Sequence, residues 1–219
     1  MVHLRGLRWF PILPLLYTGA IAAVYTENWG ALRAVAVDAR LRDEQDGWVP
    51  LLARSHLYRS FQFDLVPEVL IRRVGGVDVT PDLLTQLAAG TVGKRHTGPS
   101  DFLHTLLRER FQALVPDDGE YEELFDRVEI LLALLTVDLK EQHSGDQIYV
   151  DGRSFGRFTW RTRSLQNGGL LRQLRRKMDD LGEAWPLLGA GLFGGKLSRA
   201  VAAFETFTPV ANEVRDRYR

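Results

Sequence analysis

The sequence predicts a mostly α-helical protein, an irregular multi-helix bundle around one buried central helix, with at most one short hairpin or strand pair. Three observations carry that expectation. Helix punctuation recurs along the chain, as in "TPDLLTQLAAG", where Thr80 precedes Pro81 and Gly90 closes the run. A hydroxyl there caps free N–H groups, proline's fixed φ suits a first turn, and glycine accepts the left-handed closing residue. Strand-like runs are short and few, the clearest being "WVPLLA" from Trp48 and the stretches around Asp151-Gly152. Lastly, "ILLALLTV" is apolar on almost every face, which suits a helix enclosed on all sides.

Taken in order, the chain opens with a basic Met1 to Arg8 and the apolar run "WFPILPLLYTGAIAAVY". That outline fits a signal peptide, a short membrane anchor or a core helix over residues 9–25. Pro11 and Pro14 interrupt a membrane-type helix, and the apolar spacing continues through Trp29, Leu32 and Ala36 after a capping Thr26, so a buried helical hairpin fits the pattern best. The polar run at residues 42–47 ends this section, and "WVPLLA" follows as one strand or an extended connection. Helices are expected after Asp64, with Pro67 in the first turn and Gly75-Gly76 at the end, over the Thr80–Gly90 run, and from "TGPSDFLHTLLRERFQAL". The central helix spans about Asp118 to Gln142. Asp151-Gly152 suits a hairpin turn. Two further helices run from about Leu165 to Leu181 and from Lys196 onward, the last broken at Thr208-Pro209. The whole reads as a single helical domain over residues 1–219, with a subdivision, if there is one, near 143–164.

Composition narrows the function. The 219 residues hold 28 basic and 28 acidic side chains and 45% hydrophobic content, enough to build a core and without a global field to steer the molecule towards nucleic acid or membrane. No cysteine is present, so disulfides, thiolate metal sites and a cysteine nucleophile are excluded, and a cytoplasmic setting fits.

The motif "GAGLFG", Gly189 to Gly194, matches a dinucleotide fingerprint by letter. Its glycines work only where a strand turns into a helix within a parallel sheet. Here Trp185-Pro186 takes the strand's place and helical sequence follows. A phosphate loop fails as well, since its first glycine would fall at Ala190 and its closing hydroxyl at Leu197. The glycines are therefore expected to allow a close helix approach or a flexible joint between C-terminal helices.

Three clusters offer chemistry. His96, Asp101 and His104 are near neighbours, but a metal site needs His96 to fold back from a loop, and a surface histidine in an ion-paired turn fits better. Ser100 beside Asp101 and His104 is no triad, because neighbours on one helix turn cannot align nucleophile, base and orienting acid. Lys94 and Arg95, just before a helix start, suit a bound anion. Glu122, Asp126 and Glu129 share one helix side and suit a hard cation or an acid–base pair, although acids near a helix start commonly just favour the dipole. No metal ligand set and no cofactor follow.

Charge segregation is the strongest signal. Residues 117–146 hold ten acids against Arg127 and Lys140, whereas residues 153–178 hold eight basic residues and no acid. Phe155, Phe158 and Trp160 alternate with arginines there, a pattern suited to phosphates and bases. The basic segment can equally dock on the acidic helix of its own chain. The residues expected to contact an anion or nucleic acid are Lys94, Arg95, Arg157, Trp160, Arg161, Arg163, Arg172, Arg175, Arg176 and Lys177.

The run "GKRHTGPSDFLHTLLRERFQALVPDDGEYEELFDRVEILLALL", residues 93–135, resembles segments in the helical C-terminal and accessory regions of bacterial defence-associated multidomain proteins of ATPase or Schlafen-like type. "LPLLYTGAIAAVYTENWGALRAV" and "GRFTWR" resemble them too. The resemblance implies an all-helical accessory or sensing region and brings no catalytic residue. The expectation is a non-catalytic interaction or sensing module, with a protein partner or a second copy. The alternatives are a nucleic-acid-binding protein using segment 153–178 and a membrane-anchored helical protein.

Overall fold

The computed structural model describes residues 11–43, 47–54, 65–92, 98–143, 156–160 and 169–217. The expected mostly α architecture is found. Helix α1 (Ile12–Tyr25) begins at Pro11 and holds Pro14 in its first turn, where a missing N–H costs no helical bond. It buries Leu13, Leu16, Tyr17, Ala20, Ile21 and Val24, so this stretch is a core helix. No helix among the described residues is long and apolar enough to cross a membrane.

Helix α2 (Trp29–Arg33) turns back against α1 and continues as a π-helical turn over Ala34–Asp38. Its cap differs from expectation. Asn28 accepts from the Ala31 N–H at 3.0 Å, whereas Thr26 ends α1, its hydroxyl donating to the Ala22 carbonyl at 2.8 Å. The two residues between Thr26 and Trp29 are needed to reverse the chain, which moves the cap to Asn28.

One antiparallel pair follows, β1 (Arg40–Asp43) with β2 (Gly47–Pro50), in the register Leu41 opposite Val49 and Arg42 opposite Trp48. Leu41 and its partner Val49 are buried while Arg42 and its partner Trp48 are exposed, so the ribbon is covered on one face at these two pairs. "WVP" is thus a strand, and α3 (Leu51–Arg54) continues from it. The turn expected at Asp151-Gly152 lies outside the described residues.

Helices α4 (Leu65–Val74), α5 (Pro81–Ala89) and α6 (Gly98–Phe111) lie where their punctuation places them. At α5 the Thr80 hydroxyl accepts from the Leu83 N–H at 3.2 Å, Pro81 occupies the first turn, and Gly90 closes the helix at φ 71°.

The centre is α7 (Asp118–His143), about 39 Å long at 1.5 Å per residue. Asp117 caps it, accepting from the Glu120 N–H at 2.8 Å. Arg108 braces the α6–α7 turn by donating to the Val115 and Pro116 carbonyls and pairing with Asp118, its guanidinium lying over the Tyr121 ring. From Leu124 to Leu139 every residue but Arg127 is buried. Helices α1, α3, α6, α8 (Arg157–Trp160), α9 (Leu170–Leu181) and α11 (Leu197–Arg217) pack around it. One contiguous apolar core joins Leu13 to Ala211.

The short α10 (Pro186–Gly189) and a 3₁₀ turn over Leu192–Gly195 link α9 to α11. Gly191, Gly194 and Gly195 all have positive φ, and no strand enters or leaves this link, so the nucleotide fingerprint has no structural counterpart. What approaches the glycines is arginine. Arg33 lies against Gly191 and donates to the Ala190 carbonyl at 3.4 Å, and Arg199 lies against Gly194, where a Cβ would collide with its guanidinium. The break expected at Pro209 does not occur: α11 runs through it. The Thr208 hydroxyl bonds the Phe204 carbonyl at 2.7 Å, and Phe207 and Ala211, either side of the proline, are both buried. Packing there outweighs one lost hydrogen bond.

Candidate functional site: a buried carboxylate cluster and an exposed basic helix face

Two of the three acids in the α7 stripe do not face solvent, and the third, Glu122, is half-buried. Asp126 is 3% exposed and Glu129 is fully buried, because α1, α6 and α8 close over that side of the helix. Glu129 Oε1 accepts from the Ser100 hydroxyl at 2.6 Å and from the Tyr17 hydroxyl at 3.3 Å, while Oε2 has no hydrogen-bond partner among the described residues. Burial, reinforced by the charges of Asp126 and Asp101, pushes the Glu129 carboxyl up to about 8 against the opposing pull of the Ser100 hydrogen bond and Arg157. Burial likewise raises the Tyr17 hydroxyl well above its usual range, with Glu129 adding to the effect.

Arg157 is the cation of this cluster. Its side chain is 9% exposed, with Nε 3.5 Å from Asp101 and Nη2 3.8 Å from Glu122, and its backbone N–H donates to Ser100 Oγ at 3.3 Å. The expectation that Arg157 contacts an external polyanion is therefore corrected: the guanidinium is consumed by carboxylates of α6 and α7. The acids of α7 do more than favour a helix start, since they anchor α6 and α8 to the core helix. Arg199 repeats the arrangement further along α7, forming a two-pronged pair with Asp138 at 2.7 Å on each prong.

His104 is likewise no surface histidine. Its ring packs 4.9 Å from Tyr121 and 5.1 Å from Phe125, and the Tyr121 hydroxyl donates to its carbonyl. Burial raises the Tyr121 hydroxyl, opposed by Arg108 and Arg157. Among the described residues no group of His, Asp and Glu is placed to hold a metal ion. Ser100 bonds Glu129, not a histidine. The cluster can hold or release a proton at Glu129 near neutral pH, and nothing in its geometry presents a nucleophile to a substrate.

The remaining expected contacts separate clearly. Lys94, Arg95, Arg161 and Arg163 lie outside the described residues, as does His96, and Trp160 is the last residue of α8. On α9, Leu170, Leu171 and Met178 are buried, whereas Arg172, Arg176 and Lys177 are exposed. Arg175 pairs with Asp179 at 2.9 Å one turn on, its guanidinium 5.7 Å from the centre of the Phe204 ring. Arg176 and Lys177 form no ion pair among the described residues.

Sequence reasoning missed Tyr17 and Ser100 as partners of Glu129. The available signal was Glu129 itself, a carboxylate within the apolar run Val128–Leu135, where solvent has no access on any side. No family model, curated protein or solved structure matches the chain.

Proposed function

We propose that this chain is a non-catalytic helical interaction module that recognises an acidic partner surface through the outer face of α9. One observation carries the reading: Arg176 and Lys177 are exposed and without ion pairs among the described residues, on a helix whose opposite face is buried. The nearby Arg157, Arg175 and Arg199 are by contrast taken up within the chain. Two adjacent cations on a rigid helix offer a fixed pattern for carboxylates at low cost in side-chain ordering.

The test is fluorescence anisotropy of a labelled poly-glutamate peptide with the full chain, across a salt series. Binding is expected at low salt, to weaken as salt rises, and to fall about tenfold in Arg176→Glu/Lys177→Glu. Equal binding by the double variant overturns the reading. Duplex and single-stranded DNA and RNA run in parallel: tighter binding to nucleic acid than to the peptide, with a steep salt slope, replaces an acidic protein surface with a phosphate backbone as the partner.

A further inference from the structure

A pocket of about 140 Å³ opens where the α1–α2 turn, α7 and α9 meet, close to the volume that accepts one benzene-sized ring, about 150 Å³. Its apolar walls are Trp29, Leu170, Leu174 and Leu187. Trp185 also lines it, is fully buried, and has an indole N–H without a hydrogen-bond partner among the described residues. That nitrogen is itself enclosed, so Trp185 contributes ring surface beside the pocket and serves as its reporter.

The lining also carries opposite charges. Glu27, in the α1–α2 turn, and Lys177, on α9, are both exposed, and neither forms an ion pair among the described residues. Arg127 shares the lining but is held by Glu123 at 2.9 Å. Glu27 moreover has φ 50°, a left-handed conformation in which glycine is the usual residue. A glutamate kept there against its backbone preference places a carboxylate at the pocket.

We propose that this pocket binds a small zwitterion with an apolar side chain, of the leucine or phenylalanine class of α-amino acids. The side chain fills the space among Trp29, Leu170, Leu174 and Leu187. Glu27 takes the ammonium group. The carboxylate meets the ammonium that the lining leaves unused, that of Lys177. This site does not depend on the acidic-partner reading and shares only Lys177 with it.

The test is a titration of the full ¹⁵N-labelled chain followed at the tryptophan indole N–H resonances, with Trp185 assigned by its loss in Trp185→Phe. L-phenylalanine and L-leucine are expected to shift the Trp185 resonance saturably, and phenylacetate and phenethylamine, each with one of the two charges, to bind about fivefold more weakly or worse. Glu27→Gln is expected to lower amino-acid affinity to the level of phenylacetate, and Leu174→Trp, which fills the pocket, to remove the shift while the helical circular dichroism is retained. Arg176→Glu, which weakens the acidic-partner surface, leaves the phenylalanine titration unchanged. An absent or unsaturable Trp185 shift, equal binding of phenylacetate, or no effect of Glu27→Gln overturns the proposal.

Discussion

The arginines that pair with carboxylates of α7 and the basic residues on the outer face of α9 carry the same charge, yet folding treats them oppositely. Arg199 sets its guanidinium against Asp138, which is 2% exposed, and Arg157 sits among carboxylates of α6 and α7. Asp138, Asp101 and Arg157 have left water and depend on their partners, and Arg199 reaches Asp138 from a half-buried position. Arg176 and Lys177 remain in water, and little of the fold depends on them. Charge density along a sequence therefore says where cations are plentiful, and only packing says which are structural and which are available to another molecule.

The largest expected effect comes from breaking the buried set. Arg199→Ala leaves the Asp138 carboxylate enclosed without its partner and is expected to destabilise the chain by about 3 kcal/mol, measured by urea unfolding at neutral pH. Replacing both members, Arg199→Met with Asp138→Leu, is expected to recover most of that loss, because a buried pair as a whole stabilises little relative to apolar groups of similar size. Loss in the single variant as small as that of a surface substitution would mean that water reaches Asp138.

Glu129 sharpens the comparison through pH. Its folded pKa of about 8 lies above the ~4.3 of an unfolded glutamate, so between those values the folded chain holds a proton that the unfolded chain has released. Its contribution is fully present below about pH 4 and is lost as pH rises through about 8, with a slope approaching 1.4 kcal/mol per unit inside that window. Tyr17, Ser100, Asp101, Asp126 and Arg157 surround or bias the group and keep the proton in place or oppose it. Glu129→Gln cannot ionise and still accepts at Oε1 from Ser100 and Tyr17. Relative to the parent it is expected to gain stability from pH 5 to pH 8 in urea titrations, and parallel pH profiles would show that Glu129 is already ionised in the folded chain.

How much of this was legible beforehand follows the range of the interaction. The cap, first turn and closing glycine of α5 are local, and Thr80, Pro81 and Gly90 do what their types dictate. The enclosure of α7 was legible too, since a run from Val128 to Leu135 with one carboxylate and no turn residue has no polar face to offer solvent. The Glu129 site was not, because Tyr17 reaches it across 112 positions and Ser100 across 29. The spacing of Glu122, Asp126 and Glu129 places them on one side of a helix but carries no information on what covers that side. Pro209 failed for the same reason: its local effect is a break, and burial of Phe204, Phe207 and Ala211 overrides it. The cap of α2 fell at Asn28 and not at the expected Thr26, because α1 extends to Tyr25 and Thr26 is used to close it.

A smaller effect, of opposite sign, is expected at Glu27. The Glu27 and Asn28 N–H groups bond the Val24 and Ala23 carbonyls at 3.2 and 2.8 Å, which closes α1 with Glu27 in the left-handed position. Glu27→Gly removes the clash of Cβ with its own backbone and is expected to raise stability by about 1 kcal/mol in thermal unfolding. The same change deletes the carboxylate proposed to hold an ammonium group, so gain in stability and loss of amino-acid binding should appear together. Destabilisation instead would mean that the Glu27 side chain supports the turn.

The smallest effect on stability falls where the largest effect on recognition is expected. Arg176→Glu/Lys177→Glu alters two side chains that touch solvent and have no ion pair to lose among the described residues, so unfolding free energy should stay within about 0.5 kcal/mol of the parent. The reversal also places two acids ahead of Asp179 and Asp180, towards the negative end of α9, where each new like charge is worth a few tenths of a kcal/mol at low salt. Any deficit should therefore shrink as salt rises, the reverse of Arg199→Ala, whose enclosed Asp138 is beyond the reach of screening ions. Unfolding both variants at low and high salt separates the two populations directly. A double variant that lost as much as Arg199→Ala, at both salt concentrations, would place Arg176 and Lys177 among the structural cations and remove α9 as a recognition surface.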